Sequence, residues 1–213
     1  MHTDELLADL PLVAILRGLR PEQAIAVASL LYEAGIRLIE VPLNSPEPFR
    51  SIAMLAGLRD REWLIGAGTV LSSEDVRRTR EAGGGIIISP NCNAEVISTS
   101  LELGLEVMPG IATATEAFAA IRAGARLIKL FPALTYGPAH LRALRAVLPS
   151  GISVFPVGGI GAADIPAWLT AGAAGFGFGS ELFKPEYSLA EIAQRASHLV
   201  TVLREARRKP KPL

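Results

Sequence analysis

Cysteine is nearly absent from this chain. Cys92 stands alone, which excludes an internal disulfide and suits a reducing compartment. Histidine is almost as scarce: His2, His140 and His198 lie far apart without metal-ligand spacing, so no metal centre and no cofactor are expected. Net charge is missing too, because 21 acids balance 21 bases, and a general attraction to nucleic acid or an anionic membrane is not expected. No apolar run reaches membrane-spanning length without a charge or glycine interrupting it. The first ten residues are acidic and lack the basic region of a signal peptide. There is no Walker loop and no dinucleotide fingerprint, since Gly66-Ala-Gly-Thr-Val70 lacks the third glycine and the helix spacing. These absences point to a cytoplasmic, globular protein with no nucleic-acid or membrane partner.

Lysine is the last scarcity and the most informative. Of the 21 basic residues only Lys129, Lys184, Lys209 and Lys211 are lysine. Lys209 and Lys211 lie in a basic, proline-rich tail and Lys184 precedes a proline. Only Lys129 sits in an apolar run, Arg126-Leu-Ile-Lys-Leu-Phe-Pro-Ala133. A buried amine is costly to charge, and desolvation drives it toward its neutral, nucleophilic form. Taken alone, Lys129 has a plainer reading, a strand-end lysine whose stem snorkels to water.

What the chain does have is a repeated phrase. With 213 residues and 50% hydrophobic content, it can bury one sizeable core. A helix, a stop on a small residue or leucine followed by glycine, and a β-branched run recur; the stops are Ala34-Gly35, Ala82-Gly83, Leu103-Gly104, Ala123-Gly124 and Ala171-Gly172. Strands are expected near 11–17, 36–41, 63–68, 86–89, 105–108, 126–131, 152–157 and 174–178. A helix follows Pro21, and a final one runs from about 188 to 206. Alternating β and α units without hairpin signals imply a parallel sheet. Their number favours a closed (β/α)8 TIM barrel with an extra N-terminal helix, against an open doubly wound sheet as the alternative. The expected domain spans 1–206, followed by a basic, flexible tail over 207–213.

Barrel chemistry sits at the C-terminal strand ends. Side chains alternate faces along a strand, so inward Val13 and Ile15 imply inward Arg17. Inward Leu38 implies inward Glu40, and inward Leu127 implies inward Lys129 and Phe131. Singly, Arg17 could be a surface cap and Glu40 a structural partner of Arg37 or Arg17. Together, charges converging on a small barrel mouth are costly unless they pair or work. A guanidinium would lower the amine's pKa, and a carboxylate could transfer protons. After strands seven and eight come Val157-Gly158-Gly159-Ile160 and Phe178-Gly179-Ser180-Glu181, with a short helix expected beyond Ser180. That is where barrels place phosphate sites.

With these residues in view the chain resembles the 2-keto-3-deoxy-6-phosphogluconate/4-hydroxy-2-oxoglutarate aldolase family over nearly its whole length. The motifs are Ala14-Ile-Leu-Arg-Gly18, Ile39-Glu-Val41, Gly66-Ala-Gly-Thr-Val-Leu71, Ser89-Pro-Asn91, Pro109-Gly110 with Thr113, Ile128-Lys-Leu-Phe-Pro132, Val157-Gly-Gly-Ile160 and Gly179-Ser180. The resemblance implies a homotrimeric, metal-independent class I lyase on a (β/α)8 barrel, with a Schiff base on Lys129 and Glu40 as acid/base. It places Arg17, Thr69, Pro90 and Phe131 around the keto acid, and Gly158, Gly159, Gly179 and Ser180 around the phosphate. Within the family the chain looks like the 6-phosphogalactonate branch. It has Pro42-Leu-Asn-Ser45 where phosphogluconate enzymes typically show Thr-Leu-Arg-Thr, and Val157 where they typically place threonine. Asn44, Ser45 and Val157 are therefore expected to set specificity. The implied reaction is cleavage of 2-dehydro-3-deoxy-6-phospho-D-galactonate to pyruvate and D-glyceraldehyde 3-phosphate. The gluconate epimer, or both epimers, is the nearest alternative substrate. A sugar-phosphate isomerase or epimerase using Glu40 as base, and a non-catalytic phosphometabolite-binding barrel, are alternatives of other classes.

Overall fold

Gly35, Gly83, Gly104, Gly124 and Gly172 each end a helix in the left-handed region, at φ between 71° and 103°. These are the repeated stops of the sequence, and each reverses the chain so that a strand follows. The structure is a computed structural model that describes residues 3–58 and 62–208. Helix starts are equally local. Pro21 opens its helix at the first turn. The Ser72 side chain accepts from the Asp75 N–H at 3.2 Å, and Thr113 forms a capping box with Glu116.

The chain opens with α1 (Thr3–Asp9), β1 (Leu12–Ile15), α2 (Pro21–Glu33), β2 (Leu38–Pro42), α3 (Pro48–Ala56) and β3 (Leu64–Gly68). It continues through α4 (Ser73–Glu81), β4 (Ile86–Ile88), α5 (Ala94–Glu102), β5 (Glu106–Met108), β6 (Gly110–Ile111) and α6 (Ala114–Arg122). The last part holds β7 (Leu127–Leu130), α7 (Ala133–Arg145), β8 (Ser153–Pro156), α8 (Ile165–Thr170), β9 (Phe176–Phe178) and α9 (Leu189–Arg208). Every strand pairing is parallel. The strands form a six-stranded sheet ordered β5-β4-β3-β2-β1-β9 and a three-stranded one ordered β6-β7-β8. The fold is thus α/β, built on a curled parallel sheet.

The fifth expected strand is two segments. Pro109 cannot donate to a ladder, and there the chain leaves the larger sheet and joins the smaller one. The Pro109 carbonyl still accepts from the Lys129 N–H at 2.9 Å. On the other flank a single parallel bridge links Val157, just beyond β8, to Gly177 of β9. The last helix reaches Arg208, two residues past the expected end, because Arg207 donates to the Asp9 and Ala8 carbonyls at 2.7 and 3.1 Å. The rest of the expected tail, with Lys209 and Lys211, lies outside the described residues, as does His2.

Two apolar layers result. The outer one, between strands and helices, includes Ala14, Ile39, Val41, Ile128 and Leu130. The inner one holds Val13, Ile15, Leu38, Ile86, Ile88, Met108, Leu127, Phe155 and Val157, with Leu7 of α1, Leu64 and Phe131 packed against it. The alternation read from the sequence holds for these residues, whereas Arg17, expected to continue it inward, lies beyond the end of β1 and is exposed. No helix among the described residues is long and apolar enough to cross a membrane.

Candidate active site

Lys129 lies between inner Leu127 and inner Phe131, while Ile128 and Leu130 belong to the outer layer. Its backbone is fixed on both sides, opposite Gly110 of β6 and Phe155 of β8. The residue is 5% exposed, so the stem does not carry the amine to water. Nζ stands 5.0 Å from the centre of the Phe131 ring. Burial pushes the Lys129 amine below its ordinary pKa; the Glu40 charge pulls it back up, and the Arg17 charge lowers it further.

Glu40 is 1% exposed, and its Oε2 has no hydrogen-bond partner. It sits on β2 opposite Ile15 and Gly66. Burial raises its carboxyl pKa, against the pull of the Lys129 and Arg17 charges. No ion pair within 4.0 Å joins it to Lys129 or Arg17. Arg37 is not its partner: that guanidinium donates to the Tyr32 carbonyl at 2.6 Å and stacks on the Tyr32 ring. Gly68 explains how a carboxylate fits there. A Cβ on Gly68 would meet Oε2 at 1.1 Å, so the missing side chain is the space the carboxylate fills. From the sequence, Gly66-Ala-Gly is a family motif at a strand end without a dinucleotide fingerprint, and its role as a recess for Glu40 was missed. The signal was available in the parity, which turns both glycines of β3 inward beside inward Glu40.

Arg17 is exposed, just beyond β1, and its Nη1 donates to Asn44 Oδ1 at 2.7 Å. The neighbouring Gly18 N–H donates to Ser45 Oγ at 2.9 Å. Asn44 and Ser45 thus meet the Arg17 loop directly. Thr69 follows β3 in the left-handed region at φ 57°, unusual for a β-branched residue and a mark of local strain. Pro90 is half-buried after β4, and its carbonyl approaches Gly110 so closely that a Cβ there would lie 2.2 Å away. Thr113 is occupied as the α6 cap.

Val157 is 4% exposed and belongs to the inner layer. Gly158 and Gly159 follow at φ 98° and 72°, against the Phe131 ring and the Leu134 side chain. The Val157–Gly177 bridge sets this turn beside Gly179 and exposed Ser180. No helix begins after Ser180, in contrast to the sequence expectation. The Leu182 and Phe183 N–H groups both donate to the Gly179 carbonyl, making a single turn, and Lys184-Pro185 prevents its extension. His140 contacts the Ala112 carbonyl through Nε2 at 2.6 Å, His198 is exposed, and Cys92 is a half-buried thiol whose pKa burial raises.

A parallel α/β fold with a desolvated lysine beside a buried carboxylate and an arginine defines a site equipped for imine chemistry on a carbonyl acid. The family model for KDPG and KHG aldolases matches residues 3–197, and the chain belongs to that family. It is an enzyme of the aldolase class, a lyase. It is 45% identical over 197 residues to the 2-dehydro-3-deoxy-6-phosphogalactonate aldolase of Escherichia coli (strain K12), covering 92% of this chain and 96% of that one. A solved structure described as native KDPGal superposes with a TM-score of 0.92 at 44% identity, over 94% of this chain and 97% of the other. The KDPG aldolase of Legionella pneumophila, solved with pyruvate captured as a covalent carbinolamine, superposes at 0.81 with 25% identity over 97% and 98%.

Proposed function

We propose that this chain is a class I aldolase that cleaves 2-dehydro-3-deoxy-6-phospho-D-galactonate to pyruvate and D-glyceraldehyde 3-phosphate through a Schiff base on Lys129. The observation that carries the assignment is the burial of Lys129 between inner apolar residues, which favours its neutral amine. Neutral Nζ attacks the C2 ketone to give a carbinolamine, and loss of water leaves an iminium. Protonated Glu40, favoured by burial, supplies the proton for that water. The Glu40 carboxylate, directly or through a water, then takes the C4 hydroxyl proton. The C3–C4 bond breaks, its electron pair moves into the iminium as an enamine, and the aldehyde leaves. The Glu40 carboxyl gives that proton to C3 of the enamine, and addition of water to the resulting iminium releases pyruvate and restores the amine.

Arg17 and Thr69 bind the carboxylate, while Pro90 and Phe131 pack on the pyruvyl part. The adjacent turns at Gly158-Gly159 and Gly179-Ser180 take the phosphate through backbone amides. General acid/base transfer is worth roughly 10²–10⁴-fold, so the covalent electron sink and positioning must supply the larger share. Val157 and the Asn44-Ser45 pair favour the galactonate epimer. Chain continuity at Pro109 and the Val157–Gly177 bridge support reading the two sheets as one closed (β/α)8 barrel over 1–206. The family resemblance further supports a homotrimer working in the cytoplasm.

Borohydride reduction in the presence of pyruvate, followed by peptide mapping, tests the assignment. An adduct of one pyruvyl group on Lys129 is expected; no adduct, or one elsewhere, overturns it.

A further inference from the structure

An exposed arginine ordinarily samples many rotamers, yet Arg17 is held by a paired latch. Arg17-Gly18, two consecutive residues after β1, bond to Asn44-Ser45, two consecutive residues after β2, at 2.7 and 2.9 Å. Pro185 also packs against Gly18, where a Cβ would lie 2.6 Å from the proline Cγ and the backbone stands at φ 83°. The loop carrying Arg17 is therefore held by two other loops. Arginine offers only donors, so its bond to Asn44 sets the direction of both groups: the amide oxygen must face the guanidinium. Spending Nη1 on Asn44 leaves the Nε–H and Nη2–H edge, which carries two parallel donors suited to a carboxylate.

We infer that Asn44 is a positioning residue that acts through Arg17, turning the free edge of the guanidinium toward the carboxylate of the bound keto acid. Ser45 supports it by fixing the Gly18 backbone. The inference rests on the aldolase reading above and deepens it. Asn44 then acts at the pyruvate end of the reaction through Arg17.

The test uses the full chain in four forms: wild type, Asn44→Ala, Arg17→Ala and the double variant. Asn44 is exposed, so folding is not at stake, and an unchanged thermal midpoint verifies this. Half-saturation by pyruvate is read from borohydride trapping, and KM for glyceraldehyde 3-phosphate from the condensation direction. Asn44→Ala is expected to raise the pyruvate half-saturation about tenfold, the scale of one hydrogen bond to a charged group. The aldehyde KM should stay within about twofold, and Asn44→Ala should add nothing in the Arg17→Ala background, because coupled residues are non-additive. An undiminished effect in that background, or an effect on the aldehyde KM instead, overturns the inference, as does an Asn44→Ala protein that behaves like wild type. Failure of the wild-type chain to trap pyruvate overturns the aldolase reading itself.

Discussion

Glu40 Oε2 occupies the place where a side chain on Gly68 would begin: the carboxylate oxygen lies 1.1 Å from the position of a Cβ there. The Glu40 carboxylate and the glycine are a lock and its recess on neighbouring strands β2 and β3. Gly68→Ala must therefore swing Glu40 out of position or push β3 away from β2. Overpacking of this kind costs about 1–3 kcal/mol. Cleavage should fall by roughly 10²-fold or more, the scale of general acid/base catalysis, while pyruvate trapping on Lys129 is slower but still goes to completion. Trapping and cleavage assays on the one protein check this, and undiminished cleavage would separate Glu40 from the chemistry. Gly66→Ala is expected to be worse for folding, since its Cβ would meet the Ile86 carbonyl oxygen at 1.9 Å and no side chain can yield.

Most of the frame was legible because the repeat is written in local chemistry. The glycine stops announce where each helix ends, and period-two alternation assigns Val13, Ile15, Leu38 and Leu127 to the inner layer and Ile39, Ile128 and Leu130 to the outer one. The same parity brought Lys129 and Glu40 to one interior. The relationships that parity does not contain were harder to read. Which residue vacates space for Glu40 depends on the register Glu40↔Gly66, which sets Gly68 two residues further along β3. The latch between Arg17-Gly18 and Asn44-Ser45 joins two loops whose conformations no periodicity dictates. The expected helix after Ser180 failed for a local reason, since Lys184-Pro185 cuts the segment to one turn.

The charges around Lys129 act on it in opposite directions, and this gives a paired test. Arg17 lowers the amine's pKa, so Arg17→Ala should raise it and shift the pH dependence of trapping toward alkaline values. Glu40 raises it, so Glu40→Gln should shift the same limb toward acid. Trapping rates at saturating pyruvate, followed against pH, separate this field effect from weakened binding. Shifts of the same sign in both variants would contradict the arrangement.

Replacing the buried amine should cost the reaction but not the fold. Lys129→Met keeps the length of the side chain and removes a desolvated ionisable group from an interior that is 5% exposed. Because the folded-state pKa lies below the ordinary value, the unfolded chain binds more protons in the window between them, and wild-type stability rises with pH across it. At the acid end of that window and below it, Lys129→Met should be as stable as wild type or more so, read as an equal or higher Tm. Calorimetry against pH checks both points, and trapping should be abolished.

Val157 offers the last test, on substrate choice. Its side chain lies in the inner layer against which Phe131 packs, is 4% exposed, and stands just beyond β8, one residue before the Gly158-Gly159 turn. A methyl-to-hydroxyl exchange at that position keeps the volume and adds one donor and one acceptor to an apolar wall. Val157→Thr should therefore change little for the pyruvyl half, which meets Lys129. It should bear on the C4 hydroxyl, whose configuration distinguishes the galactonate and gluconate epimers. A hydroxyl gained by a pocket discriminates by about tenfold or more when it finds its partner. The ratio of kcat/KM for the two epimers should move toward the gluconate form by that amount, with pyruvate trapping unchanged. An unchanged ratio would remove Val157 from the specificity assignment and leave the choice of epimer to the loops after β1 and β2.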